Sequence, residues 1–167
     1  ASLARGLRAD GLCGFSFWSH DVGGFTRRGD SGVAPDRRGT LRGVIDKIPY
    51  LKDLGVTAIE LLPIQAFDPQ DAPAGRDNVW GYSPLSWFAP HHGYIEGDDP
   101  LQARVQVREL VSTCHDNGLE VLLDVVYNHT TEGNRHGPTL SWRGCGDRLY
   151  YHQNSKGDYL DVSGCGN

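Results

Sequence analysis

Two stretches of the chain are apolar almost without interruption, and two others are apolar only at every third or fourth position. "GVTAIELLPI", Gly55 to Ile64, is closed by Pro63 and predicts a buried strand; "LEVLLDVVYN", Leu119 to Asn128, predicts a second. Between them lies "DPLQARVQVRELVSTCHDNG", in which Val107, Leu110, Val111 and Cys114 recur at helical spacing. Asp99 is placed to cap this helix, Pro100 to occupy its first position and Gly118 to stop it. Upstream, Leu41, Val44, Ile45, Ile48, Leu51 and Leu54 predict another amphipathic helix, kinked or restarted at Pro49. Helix, strand, helix, strand, with both strands apolar on both faces, predicts an α/β fold of parallel strands covered by helices.

The connection from the first strand to its following helix, Gln65 to Asp99, is roughly thirty-five residues long, where about 2–6 is usual. Connections of this kind leave from the carboxyl ends of parallel strands, where ligands bind. This loop and the segment after Asn128 are therefore expected on one face. The loop contains "NVWGYSPLSWFAPHHGY", Asn78 to Tyr94, rich in Trp, Tyr, Phe and His among Pro and Gly. Exposed rings either pack into a local aromatic core or bind a partner such as a sugar, whose C–H faces stack on them. Placement on the ligand-bearing face favours binding for at least Tyr82.

Asp124 stands inside the second apolar run, where an unpaired carboxylate would cost several kcal/mol. It is expected to accept hydrogen bonds from a buried Arg or from backbone groups, ordering the site floor without reacting. Asn128 and His129 follow at the strand end, and with Asp124 they predict a polar cluster at the floor of a pocket.

Composition narrows the field. The chain has 167 residues, enough for one domain, with 22% charged and 38% hydrophobic residues, as in a soluble globular protein. The net charge of −5, with Lys and Arg dispersed, offers no footprint for nucleic acid. No apolar run approaches a membrane span, and "ASLARGLRAD" has no signal-peptide centre, so a cytoplasmic (or plastid) location is expected. Cys13, Cys114, Cys145 and Cys165 lack zinc or redox spacing and are expected to be free thiols, with Cys114 on the apolar side of its helix. No phosphate-binding glycine loop, zinc-protease motif or nucleophile elbow is present, and His91-His92 has no third partner spaced for a metal.

In this order, "GVTAIELLPI", "NVWGYSPLSWFAPHHGY" and "GLEVLLDVVYNHTTEGN" resemble the opening part of the α-amylase superfamily barrel, in its isoamylase and glycogen-debranching branch. "GFTRRGDSGVAPDRRGT" and the tail "HGPTLSWRGCGDRLYYHQNSKGDYLDVSGCGN" are similar to the same branch, so the likeness runs from about Gly24 to Asn167. The resemblance implies a partial (β/α)8 barrel, its N-terminal strands and helices only. The long aromatic loop follows its second strand, counting a first strand near residues 15–25. It implies hydrolysis of α-1,6 branch points in glycogen, amylopectin or limit dextrin. Tyr82 matches the ring that stacks on the sugar, with Trp80 beside it; His129 matches the histidine that bonds a sugar hydroxyl, and Asp124 a supporting carboxylate. Asn128 matches a position that binds calcium in some α-amylases, which leaves calcium open and implies no other cofactor.

A full barrel needs about 250 residues, and the family's retaining mechanism uses two carboxylates, about 5–5.5 Å apart, on later strands. No segment like "GFRFD" is present, so the chain is expected to be a fragment lacking the nucleophile and the general acid. Residues 15–25, within "LRADGLCGFSFWSHDVGGF", instead resemble a segment of the α-glucosidase/α-xylosidase hydrolases. Residues 1–24 are thus set apart from 25–167, either as a genuine strand, from which Asp21 would reach the pocket, or as a chimeric or mispredicted junction. Two other functions fit parts of the pattern: a non-catalytic glucan-binding or scaffolding subunit, and an exo-acting α-glucosidase resting on the N-terminal segment alone.

Overall fold

The structure, a computed structural model, describes residues 32–167. Asp21 and the N-terminal segment similar to α-glucosidases lie outside the described residues. Two compact units make up the rest, residues 32–62 with 90–124 and residues 63–89 with 125–167.

The first unit holds the predicted α/β pattern. Helix α1, Leu41–Asp46, is capped by Thr40, whose hydroxyl oxygen accepts the Gly43 N–H at 3.1 Å. Helix α2, Ile48–Leu54, restarts one residue later with Pro49 in its first turn, where a missing N–H costs nothing. Gly55, at φ 82°, ends α2 in the left-handed conformation. Strand β1, Ala58–Leu61, follows. Helix α3 spans Gln102–Asp116 and strand β4 spans Glu120–Leu123; β1 and β4 pair in parallel with Ile59 opposite Val121. Helix α1 packs on α3, and α3 packs on β4.

Two details differ from the sequence expectation. Helix α3 begins at Gln102, because the Asp99 carboxylate accepts the Leu101 N–H at 3.0 Å and closes a turn over Pro100 before the first α-helical residue. At its other end Gly118, φ 74°, donates to the His115 carbonyl at 2.9 Å while Leu119 donates to the Cys114 carbonyl at 2.9 Å, the double bond of a Schellman stop. The strands are also less buried than their apolar runs predict. Ile59 and Leu61 point into the core, but Leu122 is 52% and Leu123 44% exposed. A sheet of two strands gives each strand one neighbour, so half of this apolar surface stays open.

The core of this unit consists of Leu41, Ile48, Leu51, Ile59, Leu61, Leu110, Cys114 and Leu119. Leu110 is 1% exposed, which is worth about 2 kcal/mol of transfer free energy. Cys114 is free and buried, and burial pushes its thiol pKa up.

The second unit corrects the expectation of a structureless loop. Strand β2, Gln65–Phe67, and strand β3, Pro84–Pro90, pair with each other, and the Asp68 N–H donates to the Ser83 carbonyl at 3.2 Å. Prolines at both ends of β3 hide it from a reading by composition, yet the ends of a two-stranded sheet are where proline is tolerated. After β4 the chain runs without regular structure to helix α4, Arg143–Tyr150. Among the described residues no helix is long and apolar enough to cross a membrane.

Candidate functional site

The turn "NVWGY" is built by one side chain. The Asn78 carboxamide oxygen accepts the N–H groups of Trp80 and Gly81, both at 3.2 Å, and its nitrogen donates to the Asp68 carbonyl at 3.3 Å. Gly81 sits at φ 81°, and a Cβ there would lie 2.8 Å from the Pro63 carbonyl oxygen, so only glycine fits. This geometry delivers Tyr82 to the start of the next segment with the residue 38% exposed.

His129 meets Tyr82 directly. Its Nε2 lies 2.8 Å from the Tyr82 carbonyl oxygen and its Nδ1 lies 3.2 Å from the Asn128 carboxamide. A carbonyl only accepts, so Nε2 carries the proton in this bond. The His129 carbonyl in turn accepts the Trp87 indole N–H at 3.5 Å. Trp87 is fixed at its own backbone, where its carbonyl accepts the Gln65 side-chain N–H at 2.9 Å; the same carboxamide accepts the Val126 N–H at 2.9 Å.

Tyr82 and His129 line one cavity of about 400 Å³, together with Asp71, Ser83, Thr131 and Cys165. That size is ordinary for a small-ligand pocket. Asp71 accepts a hydrogen bond from the Ser83 hydroxyl and one from the Thr131 hydroxyl at 3.4 Å, leaving carboxylate acceptor capacity at the pocket. A tyrosine, a carboxylate, an imidazole and several hydroxyls in one concavity suit a ligand with many hydroxyl groups.

The aromatic residues divide. Trp87 packs against Trp142, ring centroids 5.2 Å apart, and edge-on against Tyr127 at 6.1 Å, which is the local-core role. Tyr82 borders the cavity. Trp80 is 53% exposed and does not line it. Asp124 is half-buried, with its N–H donating to the Leu61 carbonyl at 2.9 Å as an extension of the parallel ladder, and it does not line the cavity either. Asn128 turns its carboxamide to His129, and among the described residues no group of three His, Cys, Asp or Glu side chains could hold a metal ion.

Sequence reasoning missed Asp71, in "DAPAG", and Glu132, in "TTEGN". Glu132 is fully buried. Its carboxylate accepts the N–H groups of Leu140 at 2.7 Å, Ser141 at 2.8 Å and Arg143 at 3.1 Å, and the Tyr151 hydroxyl. Burial alone would raise its pKa, but these bonds outweigh burial and hold the carboxyl below its ordinary range. Tyr151 shifts the other way, raised by burial and by the Glu132 charge.

Comparison with known proteins agrees on one family. Residues 16–157 match the family described as alpha amylase, catalytic domain. The chain is 41% identical over 157 residues to isoamylase 3, chloroplastic, of Oryza sativa subsp. japonica, covering 88% of this chain and 20% of the relative. It is 44% identical over 122 residues to a glycogen debranching enzyme of Klebsiella pneumoniae (strain 342), covering 72% and 18%. Among solved structures, pullulanase from Anoxybacillus sp. LM18-11, complexed with maltotetraose, superposes with a TM-score of 0.70 at 29% identity, over 86% of this chain and 22% of that one. The chain thus spans about a fifth of the length of these relatives.

Proposed function

This chain belongs to the alpha-amylase family as part of its catalytic domain, and from that premise we propose that it forms the substrate-binding opening of an α-glucan debranching hydrolase. The parallel β1–β4 pair and its covering helices are then the first part of a (β/α)8 barrel. The exposed Leu122 and Leu123 support this, since parallel sheets ordinarily bury both faces. The whole protein would hydrolyse α-1,6 branches of glycogen or amylopectin with the two carboxylates of a retaining mechanism. The residues described above supply binding.

One observation carries the reading: Tyr82 and His129 converge on a single cavity that also holds a carboxylate. In this reading the Tyr82 ring lies against the C–H face of a glucosyl unit. The imidazole presents a proton on Nε2, and an entering sugar hydroxyl shares or takes over the bond now made to the Tyr82 carbonyl. Asp71 accepts from a further hydroxyl. Trp80 and Asp124 act at longer range, Trp80 as an outer ring and Asp124 through the strand that precedes His129.

Calorimetric titration of the full chain tests this. Panose, with one α-1,6 and one α-1,4 linkage, and maltotriose are expected to bind, and β-linked cellotriose is not. Tyr82→Ala should weaken panose by about ten-fold, the worth of one good stacking contact. Equal affinity for cellotriose, or panose binding untouched by Tyr82→Ala, would remove the assignment.

A further inference from the structure

We propose that Asn167 is a positioning residue of this pocket, acting through the peptide group between His129 and Thr130, with Glu132 and Tyr151 as its support. The proposal rests on the reading of the pocket as a glucosyl site. That peptide group is held from both sides. Its carbonyl, from His129, accepts the Trp87 indole N–H at 3.5 Å; its N–H, from Thr130, donates to the Asn167 carboxamide oxygen at 2.9 Å. The Asn167 nitrogen closes the clamp by donating to the Thr130 carbonyl at 3.0 Å and to the Gly133 carbonyl at 2.9 Å. Holding this peptide plane fixes ψ of His129 and so anchors the backbone from which the imidazole projects. The clamp thereby helps to hold Nε2 against the Tyr82 carbonyl.

The side chains beneath agree in donor direction. The Tyr151 hydroxyl donates to Glu132, so Thr130 donates its hydroxyl proton to the Tyr151 oxygen at 2.8 Å and accepts the Glu132 N–H at 3.3 Å. Thr130, Glu132, Tyr151 and Asn167 are all buried, so water cannot substitute for any of these partners. The approach of the tail also requires glycine: a Cβ on Gly166, φ 94°, would lie 2.7 Å from the Asn134 nitrogen and 2.9 Å from the Gly133 carbonyl carbon. Cys165, beside it, lines the pocket. The tail therefore forms one wall of the cavity and helps to hold the imidazole at the same time.

A purely structural role and a positioning role separate in the imidazole nitrogens of His129. Long-range 15N–1H spectra of the labelled full chain are expected to show Nε2 protonated in the unsubstituted protein. In Asn167→Ala the two tautomers should mix, and panose affinity should fall by about ten-fold. Tyr151→Phe removes one oxygen and keeps the ring stacked on Tyr159 at 5.0 Å, so it serves as the second variant if Asn167→Ala does not fold. It should move the same nitrogen signals in the same direction by a smaller amount. His129 signals unchanged in folded Asn167→Ala, or in Tyr151→Phe where that variant alone folds, overturn the proposal. If the variants move the His129 signals while the unsubstituted chain binds no panose, positioning stands and the glucosyl assignment falls. If panose binds and the signals stay still, the reverse holds.

Discussion

The unit of residues 32–62 and 90–124 closes mainly over apolar side chains, Ile48, Leu51, Ile59, Leu61, Leu110 and Leu119, with Thr40, His91 and Gln106 as its buried polar groups. The unit of residues 63–89 and 125–167 closes largely over side chains that hydrogen-bond: Gln65, Ser83, Thr130, Glu132 and Asn167 are its buried polar groups, beside Phe67, Val126 and Tyr151. Each unit contains a carboxamide that pairs with another residue's N–H and C=O. Gln106 accepts the Glu96 N–H at 2.9 Å and donates to the Glu96 carbonyl at 2.8 Å; Asn167 does the same for Thr130. In the first unit this device pins a loop to an amphipathic helix. In the second it is one link of a network that holds a pocket. Apolar packing tolerates small shifts because dispersion is non-directional, whereas hydrogen bonds fix direction. The pocket therefore belongs to the unit whose closure is directional.

The strongest way to break that contrast is to remove packing from the first unit. Leu110→Ala should cost about 2–5 kcal/mol in denaturant unfolding, because a site 1% exposed cannot collapse fully around the lost atoms. A loss under about 1 kcal/mol would mean the unit does not depend on its core.

Acid should act on the two units in separate steps. Burial, aided by the charge of His92, lowers the His91 pKa from 6.5 to about 4. The folded state keeps this ring neutral while the unfolded chain takes up a proton, so stability falls as the pH drops from about 6.5 to about 4. The shift corresponds to about 3 kcal/mol. Glu132 has the opposite sign of effect: its lowered pKa gives stability that is complete above its ordinary 4.5 and is lost as the pH falls through the lower folded value. Denaturant midpoints measured against pH should show the first slope vanish in His91→Phe and the second persist. A single slope below pH 4.5 in both proteins would refute the first step.

Glu132→Ala ranks next, at about 1–3 kcal/mol, because it takes the acceptor from three part-buried backbone N–H groups and from the buried Tyr151 hydroxyl. Amide hydrogen exchange should rise mainly at Leu140, Ser141 and Arg143. Protection spread evenly over the chain would argue that the carboxylate is no hub. The smallest effect is expected for Tyr82→Ala, within about 0.5 kcal/mol on stability, since the residue is 38% exposed and serves the ligand more than the fold. A larger loss would make Tyr82 a packing residue.

The elements visible in the sequence are those made by periodicity and punctuation. Helix α3 shows itself through Leu110 and Cys114 at four-residue spacing and through Gly118, and the break between α1 and α2 through Pro49. Strand β3 was hidden by Pro84 and Pro90, and strand burial was overestimated because apolar composition does not report how many neighbours a strand has. In the site, the meeting of Tyr82 and His129 was legible, because both follow predicted strands and chain direction alone carries them together. Asp71, Asn78, Glu132 and Asn167 were not legible. Asn78, Glu132 and Asn167 bind backbone groups from 2 to 37 residues away and Asp71 binds the hydroxyls of Ser83 and Thr131, and such partners leave no spacing in the sequence.

The central claim is that one glucosyl unit sits against the ring of Tyr82 and the imidazole of His129 together. The direct measurement is a set of intermolecular proton NOEs between panose and the labelled full chain. Cross-peaks from one sugar ring to both the Tyr82 aromatic protons and the His129 imidazole protons are the predicted result. Cross-peaks to only one of the two, or to residues outside the cavity, would contradict it.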